Sequence, residues 1–370
     1  MPGKVWCVRV LMVSNPNSTG SVASDPALAR RVIPILQRVQ GIRLRSVFTH
    51  HAGHAAELVR GLTTEDYDVV LVAGGDGTVN EVINGLLGPV DTWTPQHRDT
   101  LPALAILPTG SANVFARALG FRLDPIIAAQ QVAGLLRGGV RRTLCLGTWD
   151  NHWFSCNAGM GIDAEVIRRV DRVRERGFKA TPLRYLKVSL EAWVKNQFGP
   201  SSISMEAHLA TYADSGPQTV TLGELPLLFV SNTNPWTFLG PLPVVTNPGN
   251  SFDKGLSAFG LSSLRGVGGV AGLLHLIGVG RNRWFERFIH RRTVELDDLA
   301  SVTLTCDKPE SFQVDGEFIG TMSQVRLGYK PDALTVVAPQ DRWVLSAQAP
   351  QSIAMATRDL VLRESRTLTS

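Results

Sequence analysis

The sequence contains few cysteines, and none of them forms a CxxC pair. The four cysteines, Cys7, Cys145, Cys156 and Cys306, are scattered along the chain. This distribution excludes a zinc ribbon and argues against a disulfide scaffold. We therefore expect each cysteine to be a small core residue.

Long hydrophobic runs are also missing. The uncharged stretch at residues 266–280 is too short and too rich in glycine to span a bilayer. The apolar run at residues 5–13 is interrupted by Arg9 and lacks the hydrophobic centre of a signal peptide, so it predicts a β-strand. The sequence thus predicts a soluble, cytoplasmic protein that meets a membrane only at its surface.

The chain has little net charge of either sign. Its 37 lysines and arginines exceed its 32 acidic residues by five, which by itself indicates no partner. Hydrophobic residues make up 44% and charged residues 19% of the chain, a composition that excludes wholesale disorder. For 370 residues, at about 150 residues per domain, we expect two or three domains.

The first third of the chain alternates strand and helix signals. Strands are predicted at 5–13, 42–48, 68–73 and 104–107, and helical segments at 25–40, 54–61, 79–87 and 112–119. The run at 68–73 is apolar almost throughout, as expected for a strand buried on both faces of a parallel sheet. The alternation predicts an α/β, doubly wound N-terminal domain over residues 1–139.

Beyond Gly138 and Gly139 the pattern changes to short alternating strands, one of which is predicted at residues 153–157. It predicts a second, antiparallel β-rich domain, similar to a sandwich, over residues 140–340. Residues 341–370 are predicted to form a C-terminal tail that packs back on the first domain.

A glycine-rich loop, GGDGT at residues 74–78, follows the strand at 68–73 and precedes a helix. Its glycines let the backbone approach a ligand, and the N–H groups of the next helix form a phosphate site. Asn80 replaces the last glycine of a dinucleotide fingerprint, and the loop has no Walker A lysine. A glycine loop with an aspartate, Asp76, and without lysine indicates a nucleotide phosphate held through Mg²⁺. The alternative is a tight turn in which Asp76 caps the helix.

A second loop of small residues, PTGSAN at 108–113, follows the next strand and opens another helix. Because both loops follow parallel strands, both face the carboxyl edge of the sheet, where open α/β sheets bind ligands. The pair predicts a ligand site at this edge, with two unrelated turns as the alternative.

These segments resemble the diacylglycerol kinase catalytic-domain family, which includes bacterial lipid kinases, sphingosine kinases and ceramide kinases. The segments that carry the resemblance are NPNSTG at 15–20, GGDGTVNEV at 74–82, PTGSANVFAR at 108–117, NAGMGIDA at 157–164 and DGE at 315–317. The resemblance implies two domains with ATP in the cleft between them. It also implies a lipid hydroxyl, such as that of diacylglycerol, as the phosphate acceptor.

The resemblance further implies roles for single residues. Glu317 matches the catalytic acid or base with Asp315 beside it, Asp76 matches a catalytic residue and magnesium ligand, and Asp163 matches a substrate contact. The residues that match contacts to ATP are Asn15, Thr49, Gly74, Gly75, Asp76, Gly77, Thr78, Val79, Asn80, Ser111 and Asn113. Phosphoryl transfer needs positioning, charge neutralisation and a carboxylate that takes the proton of the attacking hydroxyl. Taken alone, the DGE segment would predict a hairpin turn.

The sequence departs from the bacterial members at several acidic positions. Val114 and Cys145 stand where those members often carry Asp in a magnesium-linked network, which leaves Asp76 as the remaining acid. In the segment that resembles the bacterial structural-metal site, Lys254 falls where a liganding Asp would be. An ammonium group cannot ligate a hard cation. Only Asp253, with a shift, could replace that ligand, and we expect no structural metal there.

Two segments concentrate the basic residues. From Arg168 to Lys187 there are eight Lys and Arg against two acidic residues, and from Arg281 to Arg292 five Arg against one Glu. Aromatic residues opposite the arginines of the second segment predict docking on an anionic membrane, as a peripheral protein at the inner membrane face. The alternative is a core-facing helix with a solvated basic face. No nucleic-acid-binding motif accompanies the arginines, so no nucleic acid partner is predicted.

The sequence therefore predicts an ATP- and Mg²⁺-dependent lipid kinase, a phosphotransferase with an alcohol acceptor. Three alternatives stay open: an enzyme similar to NAD kinase, which shares the GGDG loop, a sphingoid-base kinase, and a nucleotide-binding regulator without catalysis. The N-P-x-S opening and the long β-rich second part favour the lipid kinase. The acceptor lipid and the oligomeric state are left open.

Overall fold

The N-terminal part of the molecule is built on parallel strands. The computed structural model describes residues 7–18, 25–161, 164, 203–210, 218–240, 242–262 and 293–339. The parallel strands are β1 (Val8–Ser14), β2 (Ile42–Phe48), β3 (Val69–Gly74) and β4 (Ala103–Pro108), in the order β4-β3-β1-β2. Every residue of β3 and β4 is buried, as their apolar sequences predict.

Helices alternate with these strands. They are α1 (Pro26–Gln37), α2 (His54–Val59), α3 (Asp76–Leu87), α4 (Pro95–Asp99), α5 (Val114–Ala118) and α6 (Pro125–Gly138). The carboxylates of Asp25 and Asp124 accept backbone N–H groups at the starts of α1 and α6, each followed by proline in the first turn. Helix α6 is not among the predicted helices, although Asp124 and Pro125 are a start signal. No helix in the described part of the chain has the length and hydrophobicity that a bilayer crossing needs.

The second part of the chain is antiparallel and rich in strands. They are β5 (Arg142–Trp149), β6 (His152–Phe154), β7 (Asn157–Gly161), β8 (Ile203–Leu209), β9 (Thr219–Leu225), β10 (Leu227–Ser231), β11 (Thr237–Leu239), β12 (Leu242–Val244), β13 (Leu256–Leu261), β14 (Thr293–Val314) and β15 (Glu317–Val336). β11 and β12 form a two-stranded ribbon, and the others share one 13-stranded sheet with β1–β4. The predicted combination of an α/β N-terminal part and a β-rich second part is confirmed.

A long hairpin joins the two parts of the sheet. β14 and β15 pair antiparallel, and the end of β15 pairs parallel with β4 through Val336 and Leu104. The hairpin turns at Asp315 and Gly316, whose φ angles are 49° and 81°. This turn lies against α3, where Asn80 donates a hydrogen bond to the Asp315 carboxylate. The hairpin thus places Asp315 and Glu317 next to the glycine-rich loop and α3, although they lie more than 200 positions later in the sequence.

The hairpin also belongs to both hydrophobic cores. Leu334 is buried in the cluster that contains β1, β3 and β4, whereas Leu327 is buried in the cluster that contains β7, β8 and β10. By its contacts the chain forms one compact unit over Met1–Gln340. The division into domains at residues 1–139 and 140–340 stays a prediction, and the predicted tail at 341–370 lies outside the described residues.

Candidate active site

The loops that follow β3 and β4 are in direct backbone contact at the carboxyl edge of the sheet. A Cβ atom built on Gly110 would lie 2.5 Å from the Cα of Gly75, and one built on Gly75 would lie 3.2 Å from the Cα of Gly110. Side chains cannot fit at this approach, which explains the glycines. The N–H of Thr109 donates to the carbonyl of Gly74 at 3.1 Å. The two loops therefore form one continuous surface.

The loop that follows β1 completes this surface. The Asn15 Nδ2 donates to Thr78 Oγ1 at 3.0 Å, and the hydroxyls of Ser18 and Thr109 lie 2.9 Å apart. Thr78 also fills the space beside Gly74, where an added Cβ would lie 2.7 Å from the Thr78 Cβ. The structure thus brings together residues from the ends of three parallel strands.

Asp76 holds the glycine-rich loop to α5. Its Oδ2 accepts the N–H of Val114 and its Oδ1 accepts the N–H of Phe115, both at 3.0 Å. Burial raises the pKa of Asp76 to about 6 and the charge of Asp315 adds to the rise, whereas the backbone N–H donors act in the opposite direction. Asp76 therefore caps α5 through the backbone N–H groups of Val114, Phe115 and Asn113, which use some but not all of the lone pairs of its carboxylate.

The second loop is closed by its own asparagine. Asn113 Oδ1 accepts the N–H of Gly110 at 2.8 Å, and its Nδ2 donates to the Gly110 carbonyl at 2.7 Å. Asn113 is buried and has a left-handed φ of 50°. Ser111 is exposed at the tip of the same loop. Asn113 thus shapes the loop, whereas the Ser111 side chain is exposed.

A glutamate that the sequence analysis did not single out anchors the loop before α2. Glu81 Oε1 accepts the N–H of Gly53 at 2.8 Å, and its Oε2 accepts the N–H of Ala55 at 3.1 Å. Thr49, at the start of this loop, is buried and its N–H donates to the Ser14 carbonyl at 3.0 Å. Glu81 directly follows the GGDGTVN segment at residues 74–80. This position next to the glycine-rich loop is the sequence signal that could have indicated its role.

Asp315 is a buried acceptor for five hydrogen bonds. Its carboxylate accepts the side chains of Asn80 and Ser155, at 2.8 Å each, and the backbone N–H groups of Ser155, Cys156 and Asn157 at 2.7–3.0 Å. This arrangement ties the hairpin turn to α3 and to the break between β6 and β7. We call these residues the Asp315 clamp. Asn80 thus belongs to the clamp. The Val79 N–H donates to the carbonyl of Gly75, the residue before α3, at 3.1 Å.

Glu317 lies beside the first turn of α3. A Cβ atom on Gly77 would collide with the Glu317 Oε1 and would lie 3.2 Å from its Cδ. The Glu317 side chain is exposed, in contrast to that of Asp315. The N-terminus of a helix favours a negative charge. Only glycine at position 77 therefore allows the carboxylate to approach this turn.

Val114 and Cys145, the two residues that replace an Asp of the bacterial pattern, have different surroundings. Val114 is buried in α5, and its N–H is one of the donors to Asp76. The Cys145 N–H donates to the Phe252 carbonyl at 2.7 Å, and burial raises the pKa of the Cys145 thiol. Asp76 accordingly receives backbone donors from α5.

The segment that resembles a structural-metal site is held by other contacts. Lys254 Nζ donates to the Gly249 carbonyl at 3.0 Å, and Asp253 Oδ1 lies 3.5 Å from an Arg142 nitrogen. The residues here do not fit a hard cation. The Lys254 ammonium group already binds the Gly249 carbonyl, and Asp253 already pairs with Arg142.

Arg117 is a cation near Asp76 that the sequence analysis did not single out. Its guanidinium lies 3.3 Å from the centre of the Phe238 ring and donates to the Gly240 carbonyl at 3.0 Å. Burial lowers the pKa of Arg117 to about 10, and the charge of Asp76 opposes this fall. Arg117 therefore connects α5 to the β11–β12 ribbon.

The predicted substrate contact Asp163 and the basic segments from Arg168 to Lys187 and from Arg281 to Arg292 lie outside the described residues. For the described part, the site combines glycine-rich backbone with the carboxylates of Asp76 and Glu317. One or two carboxylates, completed by phosphate oxygens and water, are a common environment for Mg²⁺. The oxygen donors near Gly77 therefore fit such an ion.

The sequence matches known proteins over the region that contains this site. Residues 9–143 match the family model of the diacylglycerol kinase catalytic domain. The chain is 31% identical to a diacylglycerol kinase of Bacillus subtilis over 155 residues, which cover 41% of this chain and 46% of that protein. It is 33% identical to sphingoid long-chain bases kinase 1 of Arabidopsis thaliana over 187 residues, or 48% and 22% of the two chains. The matches thus span less than half of each of these relatives, and the predicted resemblance is confirmed.

A solved structure has the same fold. The crystal structure of a diacylglycerol kinase from Bacillus anthracis superposes with a TM-score of 0.59 at 17% identity, covering 91% of this chain and 99% of that one. At this identity the likeness shows the fold alone.

Proposed function

We propose that this chain is an ATP-dependent lipid kinase that transfers the γ-phosphate to a hydroxyl group of a lipid such as diacylglycerol. One observation carries the proposal: the Gly75–Gly110 contact joins two loops into one glycine-lined surface, and the Asp76 and Glu317 carboxylates adjoin the same turn of α3. The named lipid kinases among the relatives support the lipid as acceptor.

The nucleotide would bind along the joined loops. Gly74, Gly75 and Gly77 leave the backbone accessible, and the first turn of α3 offers N–H groups to phosphate oxygens. Thr78, Asn15 and Ser111 are the nearby hydroxyl and amide side chains. Four further residues would support the phosphate site indirectly, because their hydrogen bonds hold the loops in place: Thr49, Val79, Asn80 and Asn113.

Asp76 would hold the magnesium ion with its remaining lone pairs. When bound, Mg²⁺ supplies charge neutralisation to the transferring phosphoryl group. Because burial raises the Asp76 pKa to about 6, this carboxylate would be mostly ionised at neutral pH and would lose its charge in mild acid.

Glu317 would act as the general base. Its exposed carboxylate stands at the edge of the joined loops, where it can take the proton of the attacking lipid hydroxyl. Asp315 would act as a positioning residue, because its carboxylate already accepts five hydrogen bonds. The clamp fixes the turn from which Glu317 projects.

The binding of the lipid acceptor is proposed from the sequence, because the residues concerned lie outside the described part of the chain. Asp163 would contact the lipid headgroup, and the segments Arg168 to Lys187 and Arg281 to Arg292 would attract the protein to an anionic membrane surface. The proposal therefore includes a peripheral position at the inner face of the membrane.

The direct test is phosphate transfer from radiolabelled ATP by the full chain. Diacylglycerol, a sphingoid base and NAD serve as separate acceptors, each with and without Mg²⁺. We expect labelled lipid, at a rate that Glu317→Gln lowers by about 10²–10⁴-fold. Glu206→Gln, an exposed acid of β8 paired with His208, is the matched control and should keep full activity. Transfer to NAD alone would contradict the lipid assignment, and ATP binding without transfer to any acceptor would indicate the non-catalytic regulator.

A further inference from the structure

A cluster of two histidines and a glutamate lies in the turn before α2, apart from the residues assigned to catalysis. One ligand atom each of His51, His54 and Glu57 lies within 4.8 Å of the other two. Among the described residues, this is the group of three such side chains that is close enough to share an ion. His51 and Glu57 are exposed and His54 is half-buried.

The ring of His51 is already oriented for a metal. Its Nδ1 lies 3.0 Å from the carbonyl of Ala52, which as an acceptor places the proton on that nitrogen. The Nε2 therefore carries the free lone pair, and it lies 3.8 Å from the Glu57 Oε2. A hydrogen bond from the second ring nitrogen to a carbonyl is the usual support of a metal-bound histidine.

His54 contributes its ring from the first position of α2. Its ring stacks on that of His51 with centroids 4.7 Å apart, and its Nδ1 accepts the N–H of His50 at 3.1 Å. An ion bound at this Nδ1 would displace the His50 N–H. That N–H belongs to an exposed residue, so water can take the place of the acceptor.

The donor set selects a class of ion. Two imidazoles and one carboxylate suit Zn²⁺ and related transition metals, whereas Mg²⁺ prefers oxygen donors alone. Donors around a tetrahedral zinc lie about 3.3 Å apart, given bonds of about 2.0–2.1 Å. The ligand atoms lie within 4.8 Å of one another, so the side chains must move closer to bind an ion. The exposed His51 and Glu57 can do this by rotation toward His54.

We propose that His51, His54 and Glu57 form a binding site for Zn²⁺ or a similar transition-metal ion. Three protein ligands leave a fourth position for water. The site lies on the loop that Glu81 anchors through Gly53 and Ala55. A bound ion would therefore hold this loop next to Thr49, and it would do so whether or not the chain is a kinase.

The test uses the full chain in excess Mg²⁺, which leaves oxygen-only sites filled. Co²⁺ is added as a spectroscopic probe and Zn²⁺ is followed by calorimetry. We expect one ion per chain at this site, a visible Co²⁺ absorption of a tetrahedral centre, and weaker binding at pH 5.5 than at pH 7.5, because the ligands must be deprotonated. His51→Ala, His54→Ala and Glu57→Gln should each lower the affinity by at least about 10–100-fold.

His50→Ala is the matched control, because His50 is the neighbouring exposed histidine but lies outside the cluster. It should bind Co²⁺ and Zn²⁺ as the wild type does. Hydrogen exchange at the His50 amide should change on adding Zn²⁺, since the ion displaces its acceptor. Unchanged Zn²⁺ binding in His51→Ala and His54→Ala, or an equal loss in His50→Ala, would overturn the assignment, as would a wild type that binds neither ion.

Discussion

Replacing Asp315 by alanine should destabilise the protein, whereas replacing Glu317 by glutamine should not, although the two acids are two positions apart. The Asp315 carboxylate is buried and accepts five hydrogen bonds, three of them from successive backbone N–H groups at residues 155–157. Glu317 is exposed. The contrast separates a buried acid that holds the hairpin turn from an exposed acid of the same turn.

The expected size follows from the donors that Asp315→Ala leaves without an acceptor. A hydrogen bond to a charged group contributes about 1.5–3 kcal/mol, and each orphaned buried donor costs about 1–3 kcal/mol. Such costs are not additive, because the loop can relax and water can enter. We therefore expect a fall of about 3–5 kcal/mol in the free energy of unfolding, the range found when one partner of a buried charged contact is removed.

Two measurements check this value. Urea unfolding reports the whole molecule, and hydrogen exchange at the amides of Ser155, Cys156 and Asn157 reports the clamp itself. A local loss of about 3 kcal/mol corresponds to exchange about a hundredfold faster, since each 1.4 kcal/mol is about tenfold. Glu317→Gln should stay within about 0.5 kcal/mol of the wild type. Equal urea midpoints for wild type and Asp315→Ala, with unchanged exchange, would refute the clamp.

Three further expectations concern the same site. Gly77→Ala should abolish lipid-dependent ATP turnover while the chain stays folded, because the added Cβ collides with Glu317; full turnover in this variant would contradict the role of that contact. Folding raises the Asp76 pKa from 3.8 to about 6, so between about pH 4 and 6 the folded state binds a proton that the unfolded state has lost. The contribution of Asp76 to the free energy of unfolding should therefore fall as the pH rises from about 4 to 6. Asp76→Asn should remove this contribution, and equal slopes of stability against pH for the variant and the wild type would argue against it. Arg117→Ala should speed proteolysis within the ribbon, since it removes the contacts with Phe238 and the Gly240 carbonyl; Arg117→Lys should be intermediate, and cleavage at the wild-type rate in both would rule out this link.

The sequence by itself determined the local features of the nucleotide-side loops. The sequence predicts strand β2 with its observed ends, and β3 and β4 to within one residue. For β3 and β4 the reason is that parallel strands buried on both faces are apolar throughout. The glycines at 74, 75, 77 and 110 mark, in the sequence itself, backbone that can approach other groups closely. Which groups approach Gly75, Gly77 and Gly110 is set by the tertiary structure. The loop positions and the fold class follow from such signals.

The single strand predicted at residues 153–157 shows where local pattern fails. The structure has two strands there, β6 and β7, separated at Ser155 and Cys156. Their N–H groups turn toward the Asp315 carboxylate, 159–160 positions away along the chain. No periodicity records a partner so distant, so the break could not be predicted.

Tertiary structure alone decided what each acid does. Asp76, Glu81, Asp315 and Glu317 are all carboxylates beside glycine or asparagine in the sequence, yet the first three accept backbone N–H groups and hold loops, whereas Glu317 stands exposed beside Gly77. The difference arises because the β14–β15 hairpin spans both parts of the sheet and sets its turn against α3. A carboxylate's role depends on burial and on the donors around it, and both are set by contacts between distant segments of the chain.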